Sequence, residues 1–174
     1  MRKMLSATLL LCLVALLSVP LIPTVLAKKP TYVSGYLEYV PTIVDYRWAD
    51  GNLHLDTTEE GDWYGDLVGH SHDEPCRVVI HDANALPATD WDFRWYTSIS
   101  TFEEGECTVA GRTGGLVMRL VGKSGGPGTE WSGKWVILKG TGGLEGIHGQ
   151  GTWWGLGFPI GDIPYEGWIH FEPD

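Results

Sequence analysis

The sequence predicts an all-β protein: an antiparallel closed β-barrel of about eight strands, with no substantial helix after the N-terminal segment. Three observations predict it. Beyond Pro30, apolar residues do not recur at three- and four-residue spacing over any useful length, and glycine is too frequent for helices, with 24 in the chain. Period-two alternation is common instead, as strands require. Turn chemistry then separates the alternating runs.

The elements follow in order. At 49-ADGN-52, Asp-Gly stands between YRW and LHL, the strongest short hairpin signal. EEGD at 59–62 reads as a further break. In 91-WDFRWYTSISTF-102, Trp91, Phe93, Trp95 and Ile99 share one face, with Asp92, Arg94, Tyr96 and Ser98 on the other. EEGE at 103–106 reads as a break before 115-GLVMRLVG-122, where Leu116, Met118 and Leu120 oppose Val117, Arg119 and Val121. KSGGPGTE at 123–130 is another. In 165-YEGWIHFE-172, Tyr165, Ile169 and Phe171 oppose Glu166, Trp168, His170 and Glu172. The runs between breaks number eight to ten. With no helices to cover their faces, closure into a barrel or pairing of two sheets is the expected way to protect strand edges.

The N-terminus has a different composition. MRK precedes the apolar run LSATLLLCLVALLSV, and Val25 and Ala27 place small residues before KKP. This pattern fits a secretory signal cut after Ala27. An uncleaved anchor is the alternative, because Leu5 to Leu26 approaches the roughly 20 apolar residues that span a bilayer. Pro20 and Pro23 interrupt that run and favour cleavage. Residues 28–174 then form a single barrel domain, exported and extracellular, without a membrane segment. Removing residues 1–27 takes Arg2 and Lys3 but no acid, leaving 10 basic against 22 acidic residues and a formal charge of −12. Nucleic acids and anionic membranes need cationic patches, so neither is an expected partner. Only Cys76 and Cys107 survive processing. In an oxidising compartment one disulfide between them is the default expectation, with two buried free thiols as the alternative.

Motifs for chemistry are sparse. A phosphate loop needs Gly, four residues, then Gly-Lys and a hydroxyl. 128-GTEWSGKW-135 has the spacing but puts Trp135 in the hydroxyl position, and 122-GKS-124 has Val117 where the first glycine belongs. His70 and His72 in 69-GHSHDE-74 lie two apart, hence on one strand face, and form a weak candidate metal pair. A polar loop is the plainer reading. No serine sits in a Gly-x-Ser-x-Gly elbow. The carboxylate pairs Glu59–Glu60 and Glu103–Glu104 read as solvated turn charge. Nine tryptophans are unusual, and indoles either fill a core or stack on ligands. Trp153 and Trp154 are adjacent in a strand, so one of them must face away from the core.

The segment 139-KGTGGLEGIHGQGTWWG-155 has seven glycines in seventeen residues. Extended to 133-GKWVILKGTGGLEGIHGQGTWWG-155 and taken together with 102-FEEGECTVAGRTGGLVMRLVGK-123, it resembles the allene oxide cyclase barrel-like superfamily, which includes dirigent-like proteins and uncharacterised secreted members. Gly140, Thr141, Gly142, Leu144, Gly146, Gly149 and Gly151 match its Gly-Thr-Gly-x-Leu-x-Gly-x-x-Gly-x-Gly run. Phe102, Val109, Gly111 and Gly114 match the preceding strand, with extra residues at Glu103–Glu106 and Cys107 intruding. 34-SGYLEYVPT-42 and 61-GDWYGDLVG-69 are similar to the first strands of such domains. The resemblance implies a calycin-like barrel, often oligomeric, with an apolar cavity at one end. It also gives the glycines a structural role as corner devices, where a Cβ would obstruct sharp bending and close approach.

The functional expectation is a secreted barrel that binds a small apolar or aromatic ligand, without a cofactor. Strand positions of mixed chemistry are the candidate lining: Arg94, Tyr96, Arg119, Trp135, Trp168 and His170. Period two does not say which face points inward, so a one-residue register error exchanges the set. Two further readings stay open: a dirigent- or cyclase-like enzyme that shapes a reactive intermediate, and a carbohydrate-binding or surface-adhesion module using exposed Trp.

Overall fold

The computed structural model describes residues 29–84, 93–126, 130–156 and 162–173. The N-terminal segment assigned above to a signal, and Trp91, lie outside the described residues. Eight strands run β1 (Thr31–Ala49), β2 (Asn52–Gly65), β3 (Leu67–His81), β4 (Phe93–Val109), β5 (Arg112–Ser124), β6 (Glu130–Gly140), β7 (Ile147–Leu156) and β8 (Ile163–Phe171). Each pairs antiparallel with the next, and β8 returns to β1 through Thr31–Ile169 to Leu37–Ile163, so the sheet forms a ring.

The Asp-Gly hairpin forms as expected. Asp50 and Gly51 have φ of 51° and 76°, the left-handed pair that lets two residues join twisted strands. The strands are longer than the turn signals suggested, because EEGD and EEGE do not end them. Glu59 to Asp62 continue β2 just beyond a register shift at Thr57/Glu59. Glu103 to Glu106 form an irregularity inside β4, between Phe102 and Cys107. A bulge admits extra residues without terminating a strand.

Inward positions alternate along much of each strand, although Thr42–Trp48 of β1 are exposed throughout. Leu116, Met118 and Leu120 of β5, with Tyr165 and Ile169 of β8, join Trp63, Phe102, Trp135 and Trp153 in one buried cluster. Adjacent Trp153 and Trp154 divide as expected, at 6% and 37% exposure. Two of the three inward indoles of β6 and β7 lie across glycines of the neighbouring strands. Trp135 covers Gly151 and Gly167, and Trp153 covers Gly133 and Gly122, where any Cβ would overlap the rings. Glycine there is the space an indole fills. The run at Gly140–Gly146 makes the β6–β7 corner, a 3-10 turn over Gly142–Leu144 that buries Leu144.

At this end the ring is closed by Tyr165. Its hydroxyl accepts the Leu67 N–H at 3.1 Å and lies 3.1 Å from the carbonyls of Leu67 and Tyr64, donating to one of them. Burial pushes the phenol up to about 12. Tyr165→Phe therefore leaves a buried N–H without a partner, and a loss of about 1–3 kcal/mol is expected in denaturant unfolding. An unchanged midpoint would mean the hydroxyl does not tie the β2–β3 turn.

The expected disulfide does not form: Cys76 and Cys107 are both free and buried. Cys107 of β4 sits opposite Gly69 of β3, and Cys76 lies seven residues further along β3. At about 3.3 Å per residue that separation is roughly 20 Å, far beyond the 7 Å or less that a bridge needs between Cα atoms.

Candidate functional site

Between the large buried cluster and a second, smaller apolar one of Leu53, Leu55, Ile80 and Ala83, the interior is polar. Past the bulge in β2, inward alternation continues through Thr57, Glu59, Gly61 and Trp63, so a carboxylate falls where an apolar residue would be expected. Glu59 is 6% exposed. It accepts the Tyr96 hydroxyl at 2.8 Å and the Cys76 thiol at 3.2 Å. Beside it, Asp73 of β3 is held by Ser98 and Ser100 of β4 at 2.5 and 2.6 Å and by Ser71 at 3.1 Å. Ser71 in turn accepts the Trp63 indole N–H at 3.1 Å. No Lys, Arg or His reaches ion-pair distance of Glu59 or Asp73 among the described residues.

Burial without a cation controls the titration. Desolvation is the main cause that raises Glu59 to about 7, with Asp73 adding repulsion, while the bonds from Tyr96 and Cys76 hold it down. Desolvation likewise raises Asp73 against its three serine hydroxyls. Tyr39 of β1 is pushed up to about 12, first by burial and then by the nearby Glu59 charge. Arg94 of β4 is lowered by burial and lies 5.7 Å over the Trp131 ring. Tyr96 meets Trp131 and Trp153 edge-on, at 6.3 and 5.8 Å between centroids. Tyr39, Arg94 and Tyr96 are part-exposed. Solvent therefore touches these three side chains in part, whereas Tyr165 is 2% exposed.

The six candidate lining residues divide between two surfaces. Arg94, Tyr96 and Trp135 point inward. Arg119, Trp168 and His170 point outward, because β5 and β8 turn their Leu116–Met118–Leu120 and Tyr165–Ile169 faces inside. The outward pair Arg119 and Trp168 borders an open groove of about 640 Å³ across β5 to β8, floored by Trp135, Gly151 and Gly167. His170 stacks on His148 at 5.2 Å, and His148 bonds Glu172 at 2.8 Å.

His70 and His72 do share an outer face, but carboxylates take their ring nitrogens. His70 meets Asp62 and Glu60 at 2.8 and 3.1 Å, and His72 meets Glu60 and Glu74 at 2.8 and 3.3 Å. These bonds raise both imidazoles above their ordinary range. Among the described residues, no group of three or more His, Cys, Asp or Glu is placed to hold a metal.

Sequence reasoning missed Glu59, Asp73, Tyr39 and the Cys76 thiol as one cluster. A signal for Glu59 was present: Leu53, Leu55, Thr57, Glu59 and Trp63 alternate without a break, and that phase outranked the turn composition of EEGD.

No family model matches the chain, and no curated protein matches it. Among solved structures, it is similar to the crystal structure of a protein of unknown function from the DUF3224 family of Shewanella oneidensis MR-1. The two are 19% identical, the match covers 84% of this chain and 100% of that one, and the TM-score is 0.63. The likeness is one of fold. It accords with the all-β, eight-strand antiparallel ring and carries no activity with it.

Proposed function

We propose that the ring works as a calycin-like barrel that binds a small, mainly apolar or aromatic ligand at the polar part of its interior. The observation that carries this reading is Glu59, a buried carboxyl whose pKa is raised to about 7, with no cation at ion-pair distance among the described residues. A carboxyl in such a place is costly to keep, and perturbed groups of this kind concentrate at binding and catalytic sites. Around it stand the features of a ligand site: apolar and aromatic walls with a few convergent polar groups. Trp131, Trp153 and Tyr96 supply the walls, and Tyr39, Arg94 and the Glu59–Tyr96 pair supply the anchors. The Trp153 indole N–H is buried without an acceptor, which suits a ligand carrying a carbonyl or hydroxyl oxygen. Kinship with the allene oxide cyclase barrel-like superfamily and export through the N-terminal segment belong to the same proposal.

The indoles beside Tyr96 provide the assay. Titration with a panel of small aromatic alcohols and medium-chain alcohols should quench or shift tryptophan emission saturably, and Tyr96→Phe should weaken the best binder about tenfold. Absence of saturation across the panel, or binding untouched by both Tyr96→Phe and Arg94→Ala, would remove the interior site. The near-neutral carboxyl also favours a second reading, an enzyme in which Glu59 moves a proton on the bound ligand. In that case Glu59→Gln keeps binding and loses turnover.

A further inference from the structure

The outer groove carries an inference independent of the interior. Strand register sets its side chains in two rows. One runs Arg119, Val136, Gln150, Trp168 and Tyr32 across β5, β6, β7, β8 and β1. The second runs Val121, Lys134, Thr152 and Glu166. With neighbouring strands about 4.8 Å apart, Arg119 and Trp168 are separated by roughly 14 Å. One end of the groove is thus aromatic, the other cationic, and the middle offers an amide and a hydroxyl.

The aromatic end is built. Trp168 is 54% exposed and meets Tyr32 edge-on at 5.2 Å, with 67° between planes. The Tyr32 hydroxyl donates to Glu166 at 2.6 Å, which fixes the ring beside the indole. At the cationic end, neither Arg119 nor Lys134 has a carboxylate within ion-pair distance among the described residues. That is notable in a chain of net charge −10, whose overall field repels anions and so leaves these two cations as the local attraction.

We propose that this groove is a binding site for a short acidic saccharide, with a sugar face on Trp168 and a carboxylate between Arg119 and Lys134. Sugars present an apolar C–H face that an indole covers, and hydroxyls that amide, hydroxyl and carboxylate side chains bond. Gln150, Thr152 and Glu166 lie along the path at strand spacing. A flat aromatic acid would satisfy the two ends and leave this middle without partners. A shallow groove of about 640 Å³ is also large enough for more than one ring.

The test titrates the intact protein with a uronic-acid trisaccharide, its carboxyl-reduced neutral counterpart, and benzoate, read by calorimetry and tryptophan emission. The acidic trisaccharide should bind in a salt-sensitive way, and the neutral one should bind about tenfold more weakly without salt dependence. Trp168→Ala should weaken both saccharides about tenfold or more, Arg119→Ala with Lys134→Ala should weaken only the acidic one, and Trp154→Ala, an exposed indole outside the groove, should change neither. No binding of the acidic trisaccharide at millimolar concentration overturns the proposal. So does binding indifferent to Trp168→Ala, or benzoate binding that is as tight as that of the acidic sugar, unaffected by Tyr96→Phe and lost in Trp168→Ala. Tyr96→Phe leaves this site intact, so the groove and the interior site fail separately.

Discussion

Gly151→Ala should destabilise the fold far more than Gly51→Ala. The added Cβ would overlap the carbonyl oxygen of Glu166 on β8 and the indole of Trp135 together. The first is backbone of a paired strand, held by the Gly151–Gly167 and Thr152–Glu166 register. The second is a buried ring, 3% exposed, packed on the glycines of β7 and β8. Overpacking a well-filled interior by one methyl costs about 1–3 kcal/mol, and two rigid obstacles put this position at about 3 kcal/mol or above. Gly51→Ala supplies the contrast. Its φ is 76° but no atom lies within 4 Å of an added Cβ, so only backbone strain of about 1 kcal/mol is expected. Urea midpoints of the two variants and the parent decide the matter. Equal losses would mean that Trp135 does not pack on the glycine wall of β7 and β8.

The indole of Trp135 lying across Gly151 and Gly167 was not legible in the sequence, because it depends on inter-strand register, but the need for glycine in β7 was, as close approach at a corner. The Asp50-Gly51 hairpin and the division of Trp153 from Trp154 were legible for similar reasons: both depend on local backbone geometry. What alternation could not supply was the inward face. In β4 the apolar set Phe93, Trp95 and Ile99 lies outward, with Trp95 51% exposed, while Arg94, Tyr96, Ser98 and Ser100 turn inside. The inversion follows from the interior being polar there, where Ser98 and Ser100 hold Asp73 and Tyr96 holds Glu59. The pairing of Cys76 with Cys107 failed for a different reason. Counting thiols ignores register, and register puts the two near opposite ends of β3. Arg119 and Trp168 were chosen for mixed chemistry and do share a surface, on the outside of the ring.

Glu59→Gln should make the protein more stable at alkaline pH and change little at acid pH. In the unfolded chain this carboxyl ionises near its ordinary value, about 4.3. In the folded protein it ionises only near about 7, chiefly because burial strips its water. Below the unfolded value both states carry the proton, and Glu59 contributes no pH dependence. Between the two values the unfolded chain releases its proton and the folded chain keeps it, so stability falls as pH rises. Above the folded value the full cost is present, about 4 kcal/mol at 1.36 kcal/mol for each pKa unit. A glutamine has no proton to lose there, and its carbonyl still accepts the Tyr96 hydroxyl. The imidazoles of His70 and His72, raised by Glu60, Asp62 and Glu74, add their own decline with rising pH. They are common to both proteins and cancel in the difference. Chemical denaturation of parent and variant at several values from about pH 4 to pH 8 should therefore give curves that converge at the acid end and separate steadily above it, by about 3–4 kcal/mol at the alkaline end. Parallel curves would mean that Glu59 is ionised in the folded protein throughout. The carboxyl would then be solvated or paired, and the interior would lose the group on which the ligand site is built.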